Sequence, residues 1–299
     1  MSTIIIAILN GVGYMKVRFK IFSLAIAFAM TMLLPFTLSA CTKGDEIPPE
    51  ELSYTVEEVY SSREELKIYG KLYTPKEVGG KLPAVILSHS ANLNADSMNL
   101  YAAAFADRGF IAYAFDFCGG SSKSRSDGKT DDMTLFSEIA DLKAAIATIR
   151  AMDNVDRNNI YLFGTSQGGL VTALTAEDCL STIKGEILLY PAFNIPEIIK
   201  RFSGMVSLGG YGQAFSDTLK DYDVYSHIGN FGGKVLIIHG SSDFIVNKSY
   251  SEQASTLYEN CTLKIIDGAG HGFNSENYSM GGNYDGKVWE YIDEYLNKT

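Results

Sequence analysis

One short motif in the sequence has the residue types and spacing needed for acyl transfer. Ser166 lies at the centre of Gly164-Thr-Ser-Gln-Gly168, which has the form Gly-x-Ser-x-Gly. Such a serine is typical of a sharp turn between a strand and a helix that exposes its hydroxyl, and the glycines leave room where a Cβ would meet neighbouring backbone. A serine hydroxyl is a weak nucleophile, so this interpretation requires a base within hydrogen-bonding reach.

A histidine in a second glycine-rich segment is the preferred base. His271 lies between glycines in the loop Gly268–Phe273, just after the last predicted strand, from where it can extend toward Ser166. His89 and His239 each end a predicted strand, and His227 has no recognisable setting. A purely structural role remains the alternative interpretation for each of these histidines.

A carboxylate must hold the base in the correct tautomer and stabilise its charged form. Asp243 comes just beyond a strand in His239-Gly-Ser-Ser-Asp, and we predict that it is this acid. Asp267 competes with it, but Asp267 lies only four residues before His271 and is placed on the strand itself. The oxyanion that forms during the reaction needs two N–H donors, which we assign to Gln167 and to Ala91.

The predicted elements would place all of these residues at one edge of a sheet. Strands alternate with helices, which indicates an α/β fold with a mostly parallel central sheet covered by helices on both faces. In such sheets ligands bind beyond the carboxyl ends of the strands, where every candidate residue falls. The predicted strands are Tyr54–Ser61, Glu65–Tyr73, Pro83–His89, Phe110–Phe115, Ile160–Phe163, Glu186–Tyr190, Lys234–His239 and Thr262–Asp267. The predicted helices are Ala95–Arg108, Thr134–Met152, Leu170–Asp178, Tyr250–Glu259 and Val288–Leu296.

The segment from about residue 192 to 232 breaks this alternation, since it contains aromatic residues and no clear strand. A long insertion of this kind is often a lid over a binding site, and a disordered insertion is the alternative. Within a lid, the aromatic side chains would contact the substrate. We predict substrate contacts for His89 and for three tyrosines of the insertion, Tyr211, Tyr222 and Tyr225.

The first forty residues have the pattern of an export signal. A basic stretch after Met15, itself a candidate start, leads into the apolar run Ile21–Leu38. Leu38-Ser-Ala-Cys41 resembles the lipobox of bacterial lipoproteins, which implies lipidation of Cys41 and a membrane anchor outside the cytoplasm. A retained transmembrane helix is the alternative. We therefore expect a signal peptide at residues 1–40, a polar tether at 41–52 and one folded domain at 53–299.

Composition limits the partners that the protein could have. The chain has 25 Lys and Arg against 35 Asp and Glu, with a formal net charge of −10. An acidic body argues against nucleic acid, whose phosphates require a basic surface. The cysteines beyond Cys41 fit no metal motif and are interpreted as small packed residues, namely Cys118, Cys179 and Cys261.

The stretch from about Pro83 to Phe273 resembles the α/β-hydrolase superfamily and, within it, the cinnamoyl (feruloyl) esterases. The resemblance rests on the elbow at Ser166, on the run Ala114–Ser124 after a strand, on Met133-Thr134 with Glu138 and Asp141, and on the His-Gly-x-x-Asp and Gly-x-x-His-Gly-Phe motifs. It implies a serine esterase with a Ser-His-Asp triad, a small-molecule ester substrate and no metal or organic cofactor.

One departure from the family pattern leaves the acyl preference open. The family's oxyanion loop usually reads His-Gly followed by a bulky residue, whereas this chain has His89-Ser-Ala91. Two other functions stay under consideration. The first is an acyl-peptide or prolyl-type peptidase, since these enzymes share the final motif, Gly-x-x-His-Gly-Phe. The second is a surface binding lipoprotein that retains the fold without activity, although no triad residue is missing here.

Overall fold

An eight-stranded sheet runs through the residues that the computed structural model describes, which are 52–76, 79–201, 212–273 and 284–297. The strand order is β1-β2-β4-β3-β5-β6-β7-β8. Strands β1 and β2 run antiparallel to each other, β2 runs antiparallel to β4, and all other neighbours are parallel. The strands are β1 (Tyr54–Arg63), β2 (Leu66–Pro75), β3 (Leu82–Ser88), β4 (Ile111–Phe115), β5 (Val155–Thr165), β6 (Gly185–Leu189), β7 (Lys234–Gly240) and β8 (Cys261–Ile266). The mostly parallel α/β sheet predicted from the sequence is confirmed.

Seven helices and two 3₁₀ turns connect the strands in the described residues. The helices are α1 (Asn99–Asp107), α2 (Leu135–Arg150), α3 (Gln167–Asp178), α4 (Ile195–Arg201), α5 (Gln213–Leu219), α6 (Ser249–Ser255) and α7 (Asp285–Asn297). The 3₁₀ turns are Ala95–Met98 and Val224–His227. Helices α1 and α7 pack with one face of the sheet, and α2, α3 and α6 pack with the other. Because both faces are covered, the central strands are almost wholly apolar.

Helix α2 shows how the sequence fixes one of these layers. Thr134 and Ser137 form a reciprocal capping box that satisfies two N–H groups at the helix start. Apolar side chains then recur at helical spacing and are buried, from Leu135 through Leu142 to Ile149. Burial of each such side chain contributes about 1.5–3 kcal/mol. The same buried face also carries the carboxylates of Glu138 and Asp141, next to the residues described below.

The described part of the insertion is packed into the core. Helices α4 and α5 lie within it, and Phe215 and Leu219 of α5 are fully buried against the α2 side of the sheet. Residues 202–211, and with them Tyr211, lie outside the described residues. Residues 1–51 do too, so the predicted signal peptide and Cys41 remain expectations. Across the ranges that the structure does describe, no helix has the length and apolar character needed to cross a bilayer.

Candidate active site

Three predicted residues meet at the carboxyl edge of the parallel strands. Ser166 follows β5, Asp243 follows β7 and His271 follows β8, so each is carried by a loop or turn that leaves its strand at the same edge. Ser166 and His271 are 105 residues apart in sequence, yet their Oγ and Nε2 atoms lie 3.0 Å apart. The sheet topology is therefore what brings these side chains together.

Ser166 sits in a strained turn that the main chain holds from both sides. Its φ of 50° and ψ of −116° lie in a region that residues with a Cβ rarely adopt. Its N–H donates to the Leu189 carbonyl at 3.0 Å, and its own carbonyl accepts from the Ala192 N–H at 2.9 Å. The flanking glycines are required by contact: a Cβ on Gly164 would lie 2.3 Å from the Gly168 carbonyl oxygen, and one on Gly168 would lie 2.3 Å from the Ser88 carbonyl oxygen.

His271 links the serine to the carboxylate, and the tautomer follows from its partners. Its Nδ1 lies 2.7 Å from Asp243 Oδ2, and the Asp243 side chain is fully buried. Burial alone would raise the pKa of Asp243, but hydrogen bonds from His239 and His271 outweigh it and hold this pKa well below its usual value. Because the carboxylate is ionised, Nδ1 carries the proton and Nε2 is left to accept from the Ser166 hydroxyl.

The loops that carry the acid and the base are bonded to each other. The Ser242 N–H donates to the Ala269 carbonyl at 2.9 Å, which fixes the spacing between Asp243 and His271. Asp267, the competing acid, instead accepts from the Ser241 hydroxyl at 2.9 Å in an exposed position. The geometry thus gives Asp243, and not Asp267, the position beside the base.

The two proposed oxyanion donors lie on either side of the same turn. Gln167 is the first residue of α3, so its N–H is at a helix start where negative charge is stabilised. The loop of Ala91 is tied to the turn by Ser90, whose hydroxyl lies 2.9 Å from Thr165 Oγ1. This placement is compatible with an oxyanion hole formed by Ala91 and Gln167.

A buried carboxyl group lies directly behind the oxyanion side of the site. The side-chain amide nitrogen of Gln167 lies 2.8 Å from each carboxyl oxygen of Glu138, which is only 1% exposed. Burial raises the pKa of Glu138 to about 8, and the charge of Asp141 adds to this rise, while the bond from Gln167 opposes it. Glu138 therefore carries a proton at neutral pH and anchors the residue that follows the nucleophile.

Glu138 should make folding stability depend on pH. In the unfolded chain a glutamate ionises near pH 4.3, so between about pH 5 and 8 unfolding releases a proton and stability falls as the pH rises. We expect Glu138→Gln to keep a group that bonds Gln167 while reducing the fall in Tm across this window by a few degrees. Thermal unfolding of both proteins from pH 5 to 8 measures this, and parallel curves would contradict it.

His89 is bonded to the backbone through both of its ring nitrogens. It is 2% exposed, and burial lowers its pKa, so the ring is neutral. Its Nδ1–H donates to the Ser90 carbonyl at 2.8 Å, and its Nε2 accepts from the Phe117 N–H at 3.3 Å. These bonds give His89 a structural role in the oxyanion loop, and its predicted substrate contact stays a prediction.

The two described tyrosines of the insertion also pack against protein. The Tyr222 ring stacks on His227 with centroids 4.5 Å apart and meets the Phe136 ring edge-on. The Tyr225 hydroxyl donates to the Tyr250 carbonyl at 3.1 Å. These contacts secure the insertion on α2 and α6, so the structure assigns packing roles to residues predicted as substrate contacts.

Sequence reasoning left two residues of the site without a role. The Tyr190 ring packs edge-on against the ring of the base, His271, with centroids 4.6 Å apart. His239 lies with its Nε2 3.2 Å from Asp243 Oδ2. The position of both at strand ends was the available signal, since Ser166, Asp243 and His271 share it. In the described ranges, no group of three or more His, Cys, Asp or Glu could hold a metal ion.

Comparison with known proteins identifies the fold. A family model described as serine aminopeptidase, S33, matches residues 81–215, which include Ser166 but not Asp243 or His271. Among solved structures, Est1E from Butyrivibrio proteoclasticus with ferulic acid bound has 25% identity and a TM-score of 0.69, covering 80% of this chain and 98% of its own. The chain has an α/β-hydrolase fold.

Other members of this fold extend the comparison. Acetyl xylan esterase 1 from a Thermoanaerobacterium species has 17% identity and a TM-score of 0.60, covering 83% of this chain and 85% of its own. The monoacylglycerol lipase of Paleococcus ferrophilus has 17% identity and a TM-score of 0.58, covering 77% of this chain and 98% of its own. No curated protein sequence matches the chain. These two structures share the fold with the chain, and the family model together with the similarity to Est1E supports a serine hydrolase.

Proposed function

We propose that this α/β-hydrolase is a serine carboxylic ester hydrolase that works through an acyl-enzyme. The observation that carries the proposal is the unbroken line of hydrogen bonds from Ser166 Oγ to His271 Nε2, 3.0 Å, and from His271 Nδ1 to Asp243 Oδ2, 2.7 Å. Nucleophile, base and orienting acid in this arrangement are what acyl transfer requires.

The reaction would proceed in two steps. Ser166 Oγ attacks the ester carbonyl while His271 Nε2 takes its proton, and the N–H groups of Ala91 and Gln167 stabilise the oxyanion. The carbonyl–alkoxy bond then breaks, and His271 returns the proton to the departing alcohol. In the second step water attacks the acyl-enzyme, His271 takes the water proton, and the serine regains a proton as the acid is released.

We propose hydroxycinnamoyl (feruloyl) or other small acyl esters as the substrate class. The support is the similarity to a structure with ferulic acid bound, together with the aromatic insertion after β6. The insertion is proposed to act as a lid over the acyl group. Neither a metal nor an organic cofactor takes part in this mechanism.

An ester panel with the purified full chain tests the proposal. We expect hydrolysis of p-nitrophenyl and methyl esters, with a higher kcat/KM for methyl ferulate than for short acetyl esters, because an aromatic acyl group buries more apolar surface. Equal or better turnover of the acetyl esters would contradict the hydroxycinnamoyl assignment while leaving the esterase proposal intact.

A peptidase is the second candidate, favoured by the family model described as serine aminopeptidase. Aminoacyl and prolyl p-nitroanilides in the same panel distinguish it, since an esterase should leave them nearly untouched. No turnover of any substrate by folded protein, together with no labelling by a fluorophosphonate probe, would favour the third possibility, a non-catalytic binding lipoprotein.

We further propose that the enzyme is held outside the cytoplasm by a lipid on Cys41. The support is the basic and apolar leader followed by Leu38-Ser-Ala-Cys41. Two or three acyl chains on that cysteine would suffice for stable anchoring. The residues that follow are polar and contain Pro48 and Pro49, as suits a tether.

A further inference from the structure

The buried histidine on β7 lies beside the acid of the triad. His239 is 0% exposed. Its Nε2 lies 2.9 Å from the Val246 carbonyl oxygen and 3.2 Å from Asp243 Oδ2, and its Nδ1 lies 2.7 Å from Ser251 Oγ. Both neighbours of Nε2 are acceptors, so Nε2 must carry the proton, and Nδ1 accepts from the Ser251 hydroxyl.

The two oxygens of Asp243 have different tasks. Oδ1 accepts from the N–H groups of Ile245 and Val246, each at 2.9 Å, which fixes the carboxylate to its own turn. Oδ2 receives His271 Nδ1 at 2.7 Å and also faces His239 Nε2. The two histidines therefore share one oxygen, while the backbone holds the other in place.

Sharing an oxygen has an electrostatic consequence for the base. A second donor stabilises the negative charge on Oδ2 and leaves less of it to stabilise a proton on His271. Because the side chain of Asp243 is fully buried, this effect is not screened by water. The titratable groups that act on Asp243 include His239, His271 and the phenol of Tyr190.

We propose that His239 is a positioning residue that acts through Asp243, using its Nε2–H to draw charge from Oδ2 and so lower the basicity of His271. This inference rests on the proposed function, since it concerns the same triad.

Three variants test the inference by pH profile. His239→Leu removes the donor, and His239→Gln keeps a side-chain N–H near the Nε2 position. The matched control is His227→Phe, which removes an exposed histidine that hydrogen-bonds within its own turn and keeps a ring to stack on Tyr222. For His239→Leu we expect the acid limb of the kcat/KM profile to move up by about 0.5 pH unit or more, as loss of one donor predicts. His239→Gln should restore much of the original profile, and His227→Phe should match wild type.

A purely structural role makes the opposite prediction. If His239 only supported the loop, its replacement by leucine would displace Asp243 and lower kcat, while the acid limb of the pH profile would stay in place or move to lower pH. An acid limb that stays in place or moves to lower pH overturns the proposal. A second measurement needs no variant: ¹⁵N chemical shifts of histidine-labelled wild type should show His239 protonated at Nε2 and not at Nδ1. Absence of esterase activity in wild type would overturn the proposed function, while the tautomer measurement would still decide the hydrogen-bond assignment.

Discussion

Replacement of Ser166 by alanine is expected to lower kcat/KM for every hydrolysed ester by about 10⁴-fold or more. The loss follows because the Ser166 hydroxyl lies 3.0 Å from His271 Nε2 and supplies the attacking oxygen. Alanine keeps the Cβ and the backbone bonds of the turn, so the fold and Tm should change little. Steady-state kinetics with p-nitrophenyl esters measure the loss.

The matched control for this substitution is Ser226→Ala. Ser226 is exposed and bonds to His227 and to the Asp223 carbonyl within its own turn. That variant should keep wild-type activity and labelling by a fluorophosphonate probe, whereas Ser166→Ala should lose both. Retained activity in the Ser166 variant would remove the serine from the mechanism.

Replacement of Asp243 by asparagine is expected to lower kcat by about 10³ to 10⁴-fold, because it forces the wrong tautomer on the base. The asparagine Oδ1 would stay with the N–H groups of Ile245 and Val246, which places its NH₂ group where Oδ2 now faces His271. His271 Nδ1 must then accept, its proton moves to Nε2, and Nε2 can no longer accept from Ser166.

Asp267→Asn is the control that separates the two candidate acids. Asp267 bonds the Ser241 hydroxyl and is exposed, so its replacement should change kcat by a few-fold at most. Kinetics of both variants at pH 7 and above decide the assignment. A large loss in the Asp267 variant with near-normal activity in the Asp243 variant would reverse it.

The central strands could be predicted from sequence because their burial on both faces produces continuous apolar runs. Runs such as Leu82–Ser88 and Lys234–Gly240 were located to within one residue. The edge hairpin was less well placed: its first strand was predicted to end at Ser61 but continues to Arg63, so the turn lies at Glu64-Glu65. Strand β1 is mostly exposed, so no apolar pattern marks where its pairing with β2 ends.

Helix starts near the site were obscured by the residues that the chemistry needs. Helix α3 begins at Gln167, three residues before the predicted start, because Gly168 and Gly169 weaken the helical signal while satisfying close contacts. The partner of the Gln167 side chain could not be predicted. Nothing in the sequence indicates that Glu138 lies under Gln167, because the contact depends on how α2 packs against α3.

The order of Ser166, Asp243 and His271, and their places at strand ends, were accessible from sequence because each follows an apolar run. The interpretation of His89 and the insertion tyrosines as substrate contacts used residue type alone. The structure adds that both ring nitrogens of His89 are bonded to backbone groups, which residue type could not predict.

The conformation of Ser166 lowers the folding stability of the protein, whereas its side chain is needed for the reaction. With φ of 50° and ψ of −116°, the backbone there suits glycine better than any residue with a side chain, and the strain is about 1–3 kcal/mol. Selection for stability alone would therefore favour glycine at this position, since the bonds that hold the turn come from the main chain. A serine persists there only while turnover is under selection, so in the descendants of this gene position 166 should be among the first to change once the reaction is no longer needed.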